Sequence, residues 1–496
     1  MASRIVLLGL GGLSLELLDP LIHHGWLPNL EYLLGRGVVG TLSSDIPPFA
    51  AAEWASLLTG QGPGTTGFLE GSRKTPGSYF PEVANLEALA RRAPLSFLGR
   101  TAPETVLVGV PLPAAPGPPP PEDGIQVLRW DEGRLTVRSL PLPVVDEGAR
   151  GAEAKEERPE DFLEKAIRRM IALSVSIARM VRSSEHPIIA VHFAGLDRIL
   201  SRFHKDIVAA LLGRSIRGLD ALLRQFLRVF DDAVGPVLDL SRKDGTFVVL
   251  FSPHGYAPLD RVMNLNAFLL SRGYLVLRRE EGREVLLREV AAPVLRSMKI
   301  ERGRVKRILS RPGLSEAVDR AGSLFSSEIG LFDWGRTRAF ALTRTGITLN
   351  VRGVESAGAV NPGPEERALG EEIRHALRSL IDLGTGKFPV REVLWREELF
   401  SGPGLSELPH LVVRDWDPTY ILEDWRKVAP SEEIFSDPAR RTGTPRSPGF
   451  YCFFGTGLPD RLRPPLPRTL GEISCAIALL LDDKDHSFPV EAPQGS

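Results

Sequence analysis

The chain has 496 residues, with 61 Lys and Arg against 62 Asp and Glu, a formal net charge of −1 and two cysteines. Balanced charge argues against a general nucleic-acid binder, and Cys452 and Cys475 alone argue against a disulfide framework and fit a reducing compartment. The length exceeds what one minimal core needs, so one large α/β domain with a sizeable insertion, or two domains, is expected.

The run Ile5 to Leu10 is a first strand. It is too short to span a membrane and lacks the basic start and cleavage pattern of a signal peptide, and Ile473 to Leu481 is also too short, so a cytoplasmic protein without a membrane partner is expected. An amphipathic helix follows from about Ser14, with Leu15, Leu17, Leu18, Leu21 and Ile22 on its apolar face and Gly25 near its end. Leu27-Pro28-Asn29-Leu30 opens a second helix that closes at Gly35 to Gly37. Strands are predicted at Val38 to Leu42, Thr105 to Val110, Ile188 to Phe193, Thr246 to Phe251, His410 to Val413 and Phe450 to Phe454. Most are continuous apolar or β-branched runs, as strands covered on both faces should be.

Two segments interrupt this core. Pro111 to Gly124 is a proline-dense connection, with Pro118 to Pro121 unbroken, and Ile125 to Leu140 alternates around Asp131-Glu132-Gly133 as a hairpin does. Charged residues from Glu147 to Asp161 lead into a long helix ending near Ser183. The second interruption is helical with charged faces and reads as a cap. The division expected is a core of 1–110, 160–275 and 342–496, a connection and hairpin insert at 111–159, and a helical cap-like insert at 276–341.

Thr246 to Phe251 delivers Ser252-Pro253-His254-Gly255-Tyr256 to a strand's C-terminal end, where open α/β sheets place their ligand groups. Pro253 offers no side-chain donor or acceptor there and has lost its backbone N–H.

Several blocks in one order resemble a known family. Gly9-Leu10-Gly11-Gly12, Leu27-Pro28-Asn29-Leu30, Ile46-Pro47-Pro48-Phe49-Ala50 and Trp54 to Gly60 are similar to the type I phosphodiesterase/nucleotide pyrophosphatase branch of the alkaline phosphatase superfamily. Asp197-Arg198-Ile199, Ser252 to Gly255, Asn264 to Leu270 with Arg272 to Leu275, Asp333 to Ala339, and Gly443 to Arg446 with Gly449 extend the resemblance over almost the whole chain. It implies an alkaline-phosphatase-like three-layer α/β sandwich with a mostly parallel central sheet and helical and hairpin insertions. It also implies two-metal hydrolysis, in which two divalent ions, generally zinc, hold a phosphoryl or sulfuryl group while a Thr or Ser hydroxyl attacks in line.

Carried over position by position, the family's equipment is largely missing. The first-strand aspartate falls on Gly11, the nucleophile on Ala50 and the aspartate before His254 on Pro253. At the second metal position Asp197 is kept, while its two histidines fall on Ser201 and Pro445. One ligand remains in each site, and a lone imidazole or carboxylate does not hold a divalent ion without further partners. His204, seven residues after Asp197, stands about 10.5 Å along a helix from it and cannot share an ion with it. Thr41, Ser43, Ser44 and Thr59 are alternative hydroxyls near the pocket, and Thr59 is most simply structural.

Simpler roles exist for the retained residues. Asp197 at a strand-to-helix junction suits a helix cap, His254 a hydrogen-bonded remnant, His192 a satisfied core residue, and His23-His24 a helix C-terminus. The expectation is a catalytically inactive homologue that binds no metal and acts as a binding, scaffolding or assembly component, with a protein partner or a second copy. A weakly bound anion at the helix start near Ala51 is a further expectation. The alternative is a phosphoester or sulfoester hydrolase using zinc or another divalent metal in a rearranged or single-metal site.

Overall fold

The structure is a computed structural model that describes residues 4–43, 48–79, 81–92, 104–115, 124–131, 134–140, 157–183, 186–214, 217–242, 245–278, 332–423, 433–456, 458 and 466–481. Ser44, Pro118 to Pro121 and most of the 276–341 segment lie outside the described residues.

The most apolar runs of the sequence lie side by side. β1 (Arg4–Leu10) is flanked by β8 (Ile188–Phe193) and β9 (Thr246–Ser252), parallel to both, with Leu10 opposite Phe193 and Gly9 opposite Phe251. Three strands therefore end level at one edge of the sheet. Side chains alternate along β1: Val6, Leu8 and Leu10 enter one apolar cluster, Ile5 and Leu7 the other. Burial on both faces explains why these strands read as unbroken apolar runs.

The full sheet adds β5 (Glu104–Val108), β6 (Ile125–Asp131) and β7 (Arg134–Leu140) beyond β8, and β19 (Gly449–Phe454) and β2 (Val38–Leu42) beyond β9. β6 and β19 run against their neighbours, so six of the eight strands share one direction. The 125–140 hairpin forms as its alternation predicts. It differs from a free-standing insert in pairing along β5, where it extends the central sheet.

One face is covered by α1 (Leu15–His23), α2 (Pro28–Leu34), α6 (Pro159–Ser183), α7 (Ala194–Leu211) and α8 (Asp220–Ser241). The other carries α3 (Ala50–Thr59), α5 (Leu86–Arg92) and α12 (Leu470–Leu481), giving the three-layer α/β architecture expected. The Leu-Pro-Asn-Leu block docks α2 onto α8: Asn29 N and Leu30 N donate to the Asp231 carboxylate at 2.9 and 3.0 Å. This carboxylate takes the place of a capping side chain that Leu27 cannot supply. The His23-His24 pair ends α1, His23 in its last turn and His24 as its cap.

A second sheet stands beside the first. β13 (Gly346–Leu349) and β15 (Leu411–Trp416) form its centre, with β12 (Ala339–Phe340) and β14 (Val390–Trp395) at its edges. It shares a separate core with α9 (Leu265–Ser271) and α10 (Pro364–Arg378), and the short α11 (Arg396–Leu399) follows β14. The strand predicted near His410 thus lies outside the central sheet. Leu277 and Phe332 form an antiparallel bridge at the edge of this unit.

Small elements join the two bodies near the strand ends. β10 (Gly255–Pro258) pairs with β18 (Gly443–Arg446), and β11 (Arg261–Asn264) lies between β16 (Tyr420–Glu423) and β17 (Phe435–Ser436). The turn α4 (Pro63–Thr66) and the pair β3 (Ser72–Lys74) and β4 (Pro81–Val83) follow α3. No described helix is long and apolar enough to cross a membrane.

Candidate functional site

The level ends of β1, β8 and β9 define the site. β1 gives way to Gly11, β8 runs directly into α7 with Asp197 in its first turn, and β9 ends before Pro253 and His254. α3 completes the group from the other face, beginning at Ala50 and carrying Glu53 in its first turn.

These elements bring four side chains into one chain of contacts. His254 Nδ1 lies 2.8 Å from Glu53 Oε1, and its Nε2 lies 3.4 Å from Asp197 Oδ1. The Tyr256 hydroxyl donates to the same Asp197 oxygen at 2.6 Å. Below them Ser252 Oγ lies 2.8 Å from Leu10 O and 2.9 Å from His254 O, tying the ends of β9 and β1 together.

Burial fixes the electrostatics. The His254 and Glu53 side chains are each 3% exposed, while Asp197 keeps 34%. Burial on its own would depress the His254 pKa, but the charges of Glu53 and Asp197 outweigh it and raise it to about 10, so the ring is an imidazolium at neutral pH. For Asp197, burial favours protonation and is overcome by the hydrogen bonds from His254 and Tyr256, which hold the carboxyl below its usual range. The Tyr256 hydroxyl is pushed up by burial and by Asp197, and stays protonated.

Three expectations change here. Asp197 does not cap α7, whose cap is Phe193; its carboxylate instead turns to His254 and Tyr256. Asp197 and His254 are not isolated remnants of two sites but partners in one network, because β8 and β9 flank β1 and end level. His192 is buried as expected, yet its Nδ1 has no hydrogen-bond partner among the described residues; burial first of all lowers its pKa to about 4, leaving it neutral beside the Trp54 ring.

The substituted positions surround the network. A Cβ added at Gly11 would come within 2.7 Å of Asp197 Cβ, so α7 occupies the space that a longer side chain would need. Gly12, at φ +85°, would drive a Cβ to 2.3 Å from the Tyr256 ring. Ala50 opens α3, and Ala51 and Ala52 follow in its first turn. Ser201 lies one turn beyond Asp197 in α7, its carbonyl accepting from Thr442 N at 2.8 Å. Pro445 stands opposite Tyr256 across the β10–β18 pair. Thr59 Oγ1 donates to Ala55 O at 2.7 Å, the structural role its Leu-Thr-Gly turn suggests. His204 is buried with its pKa lowered to about 4, chiefly by burial.

Beside the network lies a shallow pocket open to solvent, lined by Phe49, Arg344, Trp416, Ile421, Leu422 and Pro445, with Glu70 at its wall. Glu70 Oε2 accepts from Arg344 N at 2.7 Å and Oε1 from Thr345 N at 2.9 Å.

The donor set does not fit the two zinc ions that the resemblance implies. Gly11, Ala50, Pro253 and Pro445 present no side-chain donor, and both ring nitrogens of His254 face carboxylates. Among the described residues no group of three or more His, Cys, Asp and Glu side chains is arranged to hold a metal ion.

Glu53, Tyr256, Glu70 and Arg344 were not singled out in the sequence. Glu53 did carry a signal: it is the one charge in Ala50 to Thr59, a helix whose residues 51–59 are all buried. Tyr256 stands two residues after His254, spacing that returns a side chain to the same side of an extended segment.

The fold is that of an alkaline-phosphatase-like α/β protein. The type I phosphodiesterase/nucleotide pyrophosphatase family model matches residues 5–81, which carry Gly11 and Ala50. Phosphonoacetate hydrolase from Sinorhizobium meliloti 1021, in complex with phosphonoformate, is similar over 96% of this chain and 95% of its own, at 15% identity and a TM-score of 0.50. Its complex with phosphonoacetate gives the same values. Murine ectonucleotide pyrophosphatase/phosphodiesterase 5 aligns over 96% of this chain and 94% of its own, at 9% identity and a TM-score of 0.46. At such identities the likeness speaks for the fold, and the last carries no further weight. No curated protein matches the sequence. The family match over residues 5–81 supports the nucleotide pyrophosphatase/phosphodiesterase-like branch for that segment, and the structural likeness shows the fold.

Proposed function

We propose that this chain is a non-hydrolysing relative of the phosphodiesterase and phosphatase-type hydrolases, acting as a binding or assembly component. The observation that carries this reading is the Glu53–His254–Asp197–Tyr256 network at the strand ends. A buried imidazolium between two carboxylates supplies positive charge there without a metal ion. It also occupies the ring nitrogen and the carboxylate oxygen that a metal ion would have to recruit.

Loss of the nucleophile points the same way. In-line attack needs a hydroxyl or an equivalent nucleophile at the start of α3, and Ala50 supplies none. Restoring that hydroxyl would leave the leaving oxygen without its stabilising ion. Convergence of Glu53, Asp197 and His254 is the one feature that favours a hydrolase with a rearranged site. Against it, the imidazole lies between the carboxylates, so an ion would have to displace a proton held with a pKa raised to about 10.

The test is turnover. The full chain, incubated with zinc, magnesium or manganese, should hydrolyse aryl phosphate monoesters and diesters no faster than a no-protein control. Metal-dependent turnover that disappears in H254A would overturn the proposal.

A further inference from the structure

The pocket beside the network has lining residues of two kinds. Phe49, Trp416, Ile421, Leu422 and Pro445 form apolar walls, and Arg344 brings a positive charge among them. Its guanidinium carbon lies 5.3 Å from the centre of the Phe49 ring, and its Nε is buried with no hydrogen-bond partner among the described residues. A desolvated guanidinium N–H without an acceptor is costly unless a ligand supplies one.

The approach to Arg344 is built with some strain. Glu70 is 6% exposed and holds φ +53°, a left-handed conformation that glycine, not glutamate, adopts readily. Its carboxylate receives the backbone N–H groups of Arg344 and Thr345 and the Thr345 hydroxyl, the last at 2.5 Å. The side chain thus fastens the turn that presents Arg344 to the pocket, which gives a glutamate at this strained position a purpose.

We infer that this pocket takes a small organic monocarboxylate with an apolar or aromatic arm, its carboxylate on the Arg344 guanidinium and its arm against Phe49 and Trp416. The inference rests on the non-hydrolysing reading above, and it assigns that vestigial site a different ligand class from a metal-held phosphoryl group. A planar guanidinium matches a carboxylate in two parallel hydrogen bonds. A dianion is disfavoured by the neighbouring Glu70 carboxylate, with one guanidinium and no metal to balance it. Glu70 is a positioning residue that acts through Arg344.

Phenylacetate, phenyl phosphate and benzyl alcohol serve as probes, titrated calorimetrically into the full chain at pH 7.5. Phenylacetate should bind one to one, with phenyl phosphate and benzyl alcohol each at least ~10-fold weaker, about 1.4 kcal/mol. R344Q should bring phenylacetate down to the level of benzyl alcohol and leave benzyl alcohol unchanged, and R344K should recover part of the loss. E70Q should weaken phenylacetate in the wild-type background and add nothing to R344Q. Melting curves identify any variant that has unfolded, and R344K then decides the role of the charge. Absence of phenylacetate binding, tighter binding of phenyl phosphate, or equal affinity in R344Q would each overturn the inference. Release of phenol from phenyl phosphate would count against the non-hydrolysing reading, separately from the order of affinities.

Discussion

Replacing Glu53 by Gln tests the network through stability. Both Glu53 and His254 are 3% exposed, so the amide leaves a buried imidazolium with Asp197 alone, at 3.4 Å. Breaking one partner out of a buried pair costs about 3–5 kcal/mol. The pKa points the same way: burial opposes the charged ring, and Glu53 and Asp197 override it, raising it from 6.5 to about 10. Because folded His254 holds its proton more tightly than the unfolded chain does, this stabilisation is complete below pH 6.5 and is lost as pH rises through about 10. Urea denaturation of wild type and E53Q from pH 6 to 10 therefore predicts a gap of about 3–5 kcal/mol at pH 6 that narrows towards pH 10. A gap below about 0.5 kcal/mol, or one that stays constant with pH, would refute the imidazolium assignment.

Two further variants probe the packing around the site. G11D should destabilise the fold by about 2–4 kcal/mol, because its Cβ would meet Asp197 Cβ at 2.7 Å, and it should not gain zinc; a stable, zinc-binding G11D would contradict the close approach. D231A removes the acceptor for Asn29 N and Leu30 N at the start of α2 and should cost about 2 kcal/mol, with faster amide exchange at those two positions. Unchanged exchange there would show that α2 is held by its apolar face alone.

The central layer was legible because β1, β8 and β9 bury both faces, and a doubly buried strand is written as an unbroken apolar run. The positions of Gly11, Ala50, Asp197 and His254 at strand and helix ends were legible from the blocks around them. The network was not. Whether Glu53 meets His254 depends on how α3 lies across the ends of β1 and β9, a long-range packing relation that no local pattern records. Likewise β12 and β13, of 2 and 4 residues, are too short for periodicity to reveal, so only β15 of the second sheet was foreseen although its core is well buried. Glu70 and Arg344 lie 274 residues apart and meet through backbone N–H groups, which side-chain identity does not announce.

The most direct measurement is the zinc content of the full chain after equilibration with excess zinc and removal of free metal, paired with anomalous diffraction at the zinc edge. Substoichiometric zinc and no anomalous peak between Asp197 and His254 are expected. One or two equivalents of retained zinc, with a peak at those side chains, would contradict this expectation.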